Sequence, residues 1–272
     1  MAEAWLARDG RVVPGPGSTG HLGFRYAVVD GPGEAVFEDA PEGFEAAVVL
    51  VQSAGVVEAR RGTDVIRLGV RPSPFDDPPE AAYLPDGGRI VVRADRPAVV
   101  ALAWAAGGGA SPAYAVHGAD VALETRGSGP DERTIRHLLE ADRPANRLYL
   151  VEVLTPAAHW SSFPPHRHDE HAPPGAYAME EAYLFRVDPP AHRALMGTWT
   201  ADGRETAGFV VGDGDLVMVR SGYHTVSAAP GSRLYYLNAM AGPERVWTPV
   251  FHPDYLHLVR GWSNAPVARA DG

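Results

Sequence analysis

Apolar residues along this chain fall into short runs that are β-branched or alternate with polar neighbours. The clearest are Ala46–Val51, Arg89–Arg93, Ala98–Trp104, Leu148–Leu154, Ala182–Val187, Asp215–Val219 and Leu234–Leu237. Glycine and proline, 30 and 25 residues, are spread along the whole length instead of gathering in one linker. Short strands cut by turn residues at intervals of roughly 8–12 positions predict an all-β sandwich or barrel. Helical periodicity is scarce. Its best candidate is Asp131–Leu139, where Ile135, Leu138 and Leu139 would share one face.

A weak internal repeat divides the chain. Tyr83–Val92 can be laid against Met218–Ser227, and both read as strand, tight glycine turn, strand. At 272 residues the chain exceeds the usual size of one compact core. The Gly107–Pro112 stretch offers a junction, so the expectation is one barrel over residues 1–112 and a second over 113–272.

Composition then narrows the chemistry. A net charge of -10 argues against nucleic acid, whose phosphates need a basic face. With no cysteine, disulfides, thiolate metal sites and thiol nucleophiles are excluded. Every residue in the Lys+Arg total is arginine, so Schiff-base catalysis and a Walker A lysine are excluded as well. The start, Met1–Gly15, lacks the basic and apolar regions of a signal peptide, and no stretch approaches the roughly 20 apolar residues of a membrane span. A soluble cytoplasmic protein is expected.

Histidine supplies the candidate chemistry. Eight of the eleven lie after residue 158, and none occurs from Leu22 through Val116. In a strand, residues two apart point to one side, so His166 and His168 can face a barrel interior and share a divalent ion. Zinc and manganese lead the expected metals, with iron and nickel as alternatives. Glu181 opens an apolar strand and would present its carboxylate on the same face as the Tyr183 ring; His224 follows the Gly222 turn. Glu180 is the rival ligand, because alternation lets only one of the two glutamates point inward and spacing does not choose. Three imidazoles and a carboxylate leave about two positions open on an octahedral ion, as catalysis requires.

The pattern His166-x-His168, Glu181, Gly222-x-His224 resembles the metal motifs of the cupin superfamily. Gly127–Arg136, Glu152–Pro156, His159–Asp169, Gly222–His224 and Leu234–Pro243 narrow the likeness to the 5-deoxy-glucuronate isomerases, the aldose–ketose isomerases of myo-inositol catabolism. Ser73–Pro79 and Tyr83–Pro85 are similar to that family too, so the resemblance spans nearly the whole chain.

The resemblance implies a bicupin of two antiparallel barrels, with metal only in the C-terminal one. Its ligands would be His166, His168, Glu181 and His224, with Glu181 preferred because it directly precedes the Ala-Tyr-Leu-Phe strand. The first barrel would be metal-free, since the repeat sets Arg89 opposite His224. Arg220 and Ser221 depart from the family's usual Pro-Arg before Gly-Tyr-His, and the His168–Glu181 loop carries Pro173 and Pro174.

The implied reaction turns 5-deoxy-D-glucuronate into 5-dehydro-2-deoxy-D-gluconate, a small sugar acid converted without nucleic acid or membrane. Tyr183 is the candidate catalytic residue, with a barrel-core aromatic as its other reading. Arg186, Arg193 and Arg220 are candidates for the substrate carboxylate. A homodimer through edge strands is implied by resemblance alone. Three alternatives stay open: another uronate ketol-isomerase of the 5-keto-4-deoxyuronate type, a cupin dioxygenase on the same ligands, and a sugar-binding module without catalysis.

Overall fold

The computed structural model describes residues 3–7, 11–12, 20–108, 111–140 and 142–259. It is all-β apart from three short 3-10 turns among those residues, the bicupin class expected. No helix among them is long and apolar enough to cross a membrane. Each expected run lies in a strand to within one residue at its start, with Ala46–Val51 inside Phe44–Ser53 and Ala182–Val187 inside Glu180–Asp188.

Two compact units form, and they interleave in sequence where the junction at 112/113 suggested a single cut. The first unit comprises Asp9–Ala122 and Arg136–Glu152; the second comprises Met1–Arg8, Leu123–Ile135 and Val153–Gly272.

In the first unit a sheet runs in the order Tyr114–His117, Glu80–Leu84, Phe44–Ser53, Ala98–Ala106, Leu22–Val29, Arg11–Val12. A four-stranded sheet of Gly33–Phe37, Ile90–Ala94, Val57–Arg61 and Asp64–Leu68 belongs to the same unit. Phe44–Ser53 is buried on both faces and reads as an almost continuous apolar run, whereas Gly33–Phe37 alternates. Phe37, Val48, Leu50, Ile90, Leu102 and Trp104 meet in one apolar core.

The second unit has a five-stranded sheet of Thr206–Val211, Ala194–Trp199, Tyr223–Ser227, Trp160–Arg167 and Val250–Phe251. Ala4–Ala7, Leu216–Val219, Glu180–Asp188 and Arg233–Ala241 lie consecutively in its other sheet. The N-terminal strand thus pairs far along the chain, Ala4 with Val219 and Ala7 with Leu216. Arg220 reinforces it, its Nη1 3.0 Å from Glu3 Oε1 and its guanidinium 4.9 Å from the Trp5 ring centroid.

The repeat is realised as two strand–turn–strand units, Glu80–Leu84 with Ile90–Ala94 and Leu216–Val219 with Tyr223–Ser227. In both, the second strand belongs to a different sheet from the first. The second turn passes through Gly222 at φ +95°, a conformation that a side chain disfavours.

One expectation fails. Asp131–Leu139 is not helical: a 3-10 turn at Gly129–Asp131 leads into the strand Arg133–Leu139. The segment lies between Ala122–Arg126 and Tyr149–Thr155 in sheet order. Its β-branched Thr134 and Ile135 suit that setting, and a run this short looks alike in a helix or a buried strand.

Candidate metal centre

His166 lies in Trp160–Arg167, directly across from His224 in Tyr223–Ser227. His168 follows one residue past the strand end and extends the ladder through Met179, whose N–H donates to the His168 carbonyl at 2.8 Å. The two-residue spacing therefore holds, and both rings are buried with His224 and Glu181. Donor atoms of His168, Glu181 and His224 lie within 4.8 Å of one another. His166 adjoins this trio, its ring centroid 4.8 Å from that of His224 and 6.2 Å from that of His168.

The hydrogen bonds orient all three rings alike. Nδ1 of His166 donates to the Pro164 carbonyl at 3.0 Å, that of His168 to Met179 at 2.6 Å, and that of His224 to Gly222 at 3.3 Å. Each ring thus has Nε2 as the nitrogen that could bind an ion, the arrangement typical of metal-binding imidazoles. Glu181 Oε2 stands 2.8 Å from His168 Nε2 and 3.0 Å from His224 Nε2. The latter contact is not aligned as a hydrogen bond, so the buried His224 Nε2 has none, and neither does the buried Asn238 Oδ1. Buried polar atoms seldom stay unpaired unless a ligand completes them. A borderline N-and-O donor set with an unpaired buried nitrogen fits a divalent transition ion.

Glu180 and Glu181 separate as strand alternation requires. Glu180 turns to Arg220, whose Nε lies 3.0 Å from Glu180 Oε1, while Glu181 faces the histidines. Asn238 donates from Nδ2 to Glu181 Oε1, leaving Oε2 to the imidazoles. Burial alone would raise the Glu181 carboxyl, but the His224 and His168 imidazoles outweigh it and hold the group well below the carboxylate range. Burial likewise opposes charge on His168, and there the Glu181 contact wins and raises it. His166, buried and beside His224, is pushed well below its ordinary value.

Tyr183 is buried beside this cluster, its ring centroid 6.1 Å from that of His224. Burial, followed by the charge of Glu181, raises its phenol well above the usual range. The proton therefore stays on the phenol, which makes Tyr183 a donor in this setting. Of the three candidate arginines, Arg186 is 2.7 Å from Asp213, Arg193 donates to the Ala191 and His192 carbonyls, and Arg220 serves Glu3 and Glu180. The structure joins none of them to the histidine cluster.

Several contributors were missed by sequence reasoning. Asp169 accepts the Gly222 N–H at 2.8 Å and Arg167 Nη1 at 2.6 Å, tying the loop after His168 to the turn before His224. Trp247, half-buried, sets its ring 5.7 Å from His166 and 5.3 Å from His168, centroid to centroid. Asn238 had a legible signal, a lone amide in the apolar strand Arg233–Ala241. Asp169 and Trp247 act across loops and leave no local pattern.

Comparisons with known proteins give the chain's family and fold. Residues 12–258 match the model of the KduI/IolB family. A 5-deoxy-glucuronate isomerase of Geobacillus thermodenitrificans is 37% identical over 212 residues, 78% of this chain and 77% of that protein. One from Geobacillus kaustophilus is 39% identical over 192 residues, 70% of this chain and 69% of that protein. Among solved structures, an IolB-like protein of Salmonella typhimurium superposes with a TM-score of 0.85 at 29% identity, covering 91% of this chain and 94% of that one. The oxalate decarboxylase of Lactobacillus farciminis, at 11% identity and a TM-score of 0.61 over 94% of this chain and 86% of its own, shares the fold. On the strength of the family model and of these relatives, the chain belongs to the KduI/IolB family.

Proposed function

We propose that this protein is a metal-dependent aldose–ketose isomerase that converts 5-deoxy-D-glucuronate into 5-dehydro-2-deoxy-D-gluconate in the cytoplasm, as a step of myo-inositol catabolism. The observation that carries the reading is the convergence of His168 Nε2, His224 Nε2 and a Glu181 oxygen in a buried site, within a chain whose curated relatives bear that isomerase name. His166, His168, Glu181 and His224 form the ligand set. A divalent ion bound there, zinc or manganese ahead of iron or nickel, supplies Lewis-acid stabilisation of negative charge on the substrate oxygens.

The chain's own groups do the rest. Moving the carbonyl from C1 to C2 takes a proton from C2 and delivers one to C1, while a hydroxyl proton passes from O2 to O1. Tyr183 Oη is assigned to those oxygens, where it holds or passes a proton. Asn238 keeps the Glu181 carboxylate turned toward the histidines. Trp247 stands over His166 and His168 and limits water there. A homodimer joined through edge strands is proposed as its assembly.

The test is a coupled assay on 5-deoxy-glucuronate before and after chelation. Turnover that disappears with the metal and returns on adding zinc or manganese supports the reading; metal-loaded protein with no turnover overturns it. Tyr183→Phe should lower kcat by about 10²-fold with bound metal unchanged.

A further inference from the structure

Ser162 has φ +48° and Ala158 φ +62°; among the described residues no other non-glycine position has positive φ. Ser162 lies where the ladder between Trp160–Arg167 and Tyr223–Ser227 slips, between Ser161 and His166. A bulge of this kind re-aims a side chain, and disfavoured backbone of this kind gathers at functional sites. Arg133 steadies the next residue, donating from Nη2 to the Phe163 carbonyl at 2.7 Å.

The re-aimed hydroxyl enters a buried cluster. Ser162 Oγ lies 3.1 Å from Tyr183 Oη and 3.3 Å from Tyr236 Oη, and Ser161 Oγ lies 2.7 Å from Tyr236 Oη. In each of these pairs either hydroxyl can be the donor, so the four groups form one connected buried network that meets Tyr183 Oη at Ser162.

We infer that Ser162 is a positioning residue whose bulged hydroxyl, hydrogen-bonded to Tyr183 Oη at 3.1 Å, holds that phenol oxygen in place beside the ligand cluster. The inference rests on the isomerase reading, in which the substrate oxygens are held at that cluster. Without the serine hydroxyl, Tyr183 Oη loses its partner at the bulge and is held less firmly beside the cluster.

The experiment compares Ser162→Ala and Ser162→Gly with the parent protein, each metal-loaded, by steady-state kinetics, metal analysis and thermal melting. Both variants lack the hydroxyl, but only alanine keeps a side chain on the left-handed backbone. The glycine variant should therefore melt about 2–4 °C above the alanine variant. Both should lose about 10- to 100-fold in kcat, with KM and metal content near the parent's. A shared rate loss despite different melting temperatures identifies positioning. Parent-like kcat in either variant, or a rate loss that follows melting temperature or metal content, overturns it. Failure of the parent itself to turn over 5-deoxy-glucuronate would instead refute the isomerase reading, and this inference with it.

Discussion

The two units place polar groups in their interiors in opposite ways. In the first, the interior is apolar, and its buried carboxylates are saturated by the fold. Glu45 accepts the backbone N–H groups of Asn146 and Leu148, both at 2.6 Å, that of Arg147, and the Tyr83 hydroxyl at 2.7 Å. Glu152 takes both arms of Arg71, at 2.6 and 2.7 Å, with all of these side chains fully buried. In the second unit, His224 Nε2 and Asn238 Oδ1 are equally buried and accept nothing. The carboxylates of the first unit serve structure, whereas the unpaired His224 nitrogen stands in a cluster of His168, Glu181 and His224 donor atoms that an ion would complete.

That contrast also bears on what each interior position contributes. Fully burying a Leu, Val or Phe side chain contributes about 1.5–3 kcal/mol, and the first unit collects many such residues around Leu102 and Trp104. The second unit gives interior positions to His166, His168, Glu181, His224 and Asn238, each of which costs desolvation that only partners offset.

The sharpest way to break the comparison is to remove a ligand. His168→Ala should abolish bound metal and lower kcat/KM by about 10³-fold, measured by metal analysis with the isomerase assay. Retained metal would show that His168 is not a ligand. Next in size, Glu152→Ala leaves Arg71 buried without its carboxylate and should cost about 3–5 kcal/mol in denaturant unfolding, with metal stoichiometry intact. Loss of metal together with stability would mean that the two roles are not separable in this chain. Asn238→Ala should weaken metal affinity by about 10–100-fold in a competition titration, because it frees the Glu181 oxygen that Asn238 now holds. Smallest of all, Arg89→Ala, at the repeat position matching His224 but 63% exposed in its side chain, should change stability by less than about 0.5 kcal/mol and activity not at all. An effect on activity there would give the first unit a catalytic part.

Local patterns made much of this legible. Alternation and turn residues located the strands, because a half-buried strand must alternate. The spacing of His166 and His168 worked for the same reason. Alternation could say that Glu180 and Glu181 face opposite ways but not which faces inward; the Arg220 contact that occupies Glu180 comes from another strand. Asp131–Leu139 misled because its apolar positions fit a helix as well as a strand, and neighbouring strands decided. The arginine candidates were chosen for charge alone, and Asp213 and Glu3, their actual partners, carry no signal in the local pattern.

The pairing of Ala4–Ala7 with Leu216–Val219 has a consequence for the order of events during synthesis. The Glu3 N–H reaches Ser221 Oγ across 218 positions, so the strand Ala4–Ala7 must wait for a partner made far later. Closing so long a loop costs only about 0.6 kcal/mol for each doubling of its length, so the delay falls on timing and barely on stability. All of the first unit is translated by Glu152, before any of the four proposed metal ligands exists. A nascent chain can thus acquire its apolar core while the N-terminal strand is still unpaired. That strand finds its place only after its partner, Leu216–Val219, has been translated.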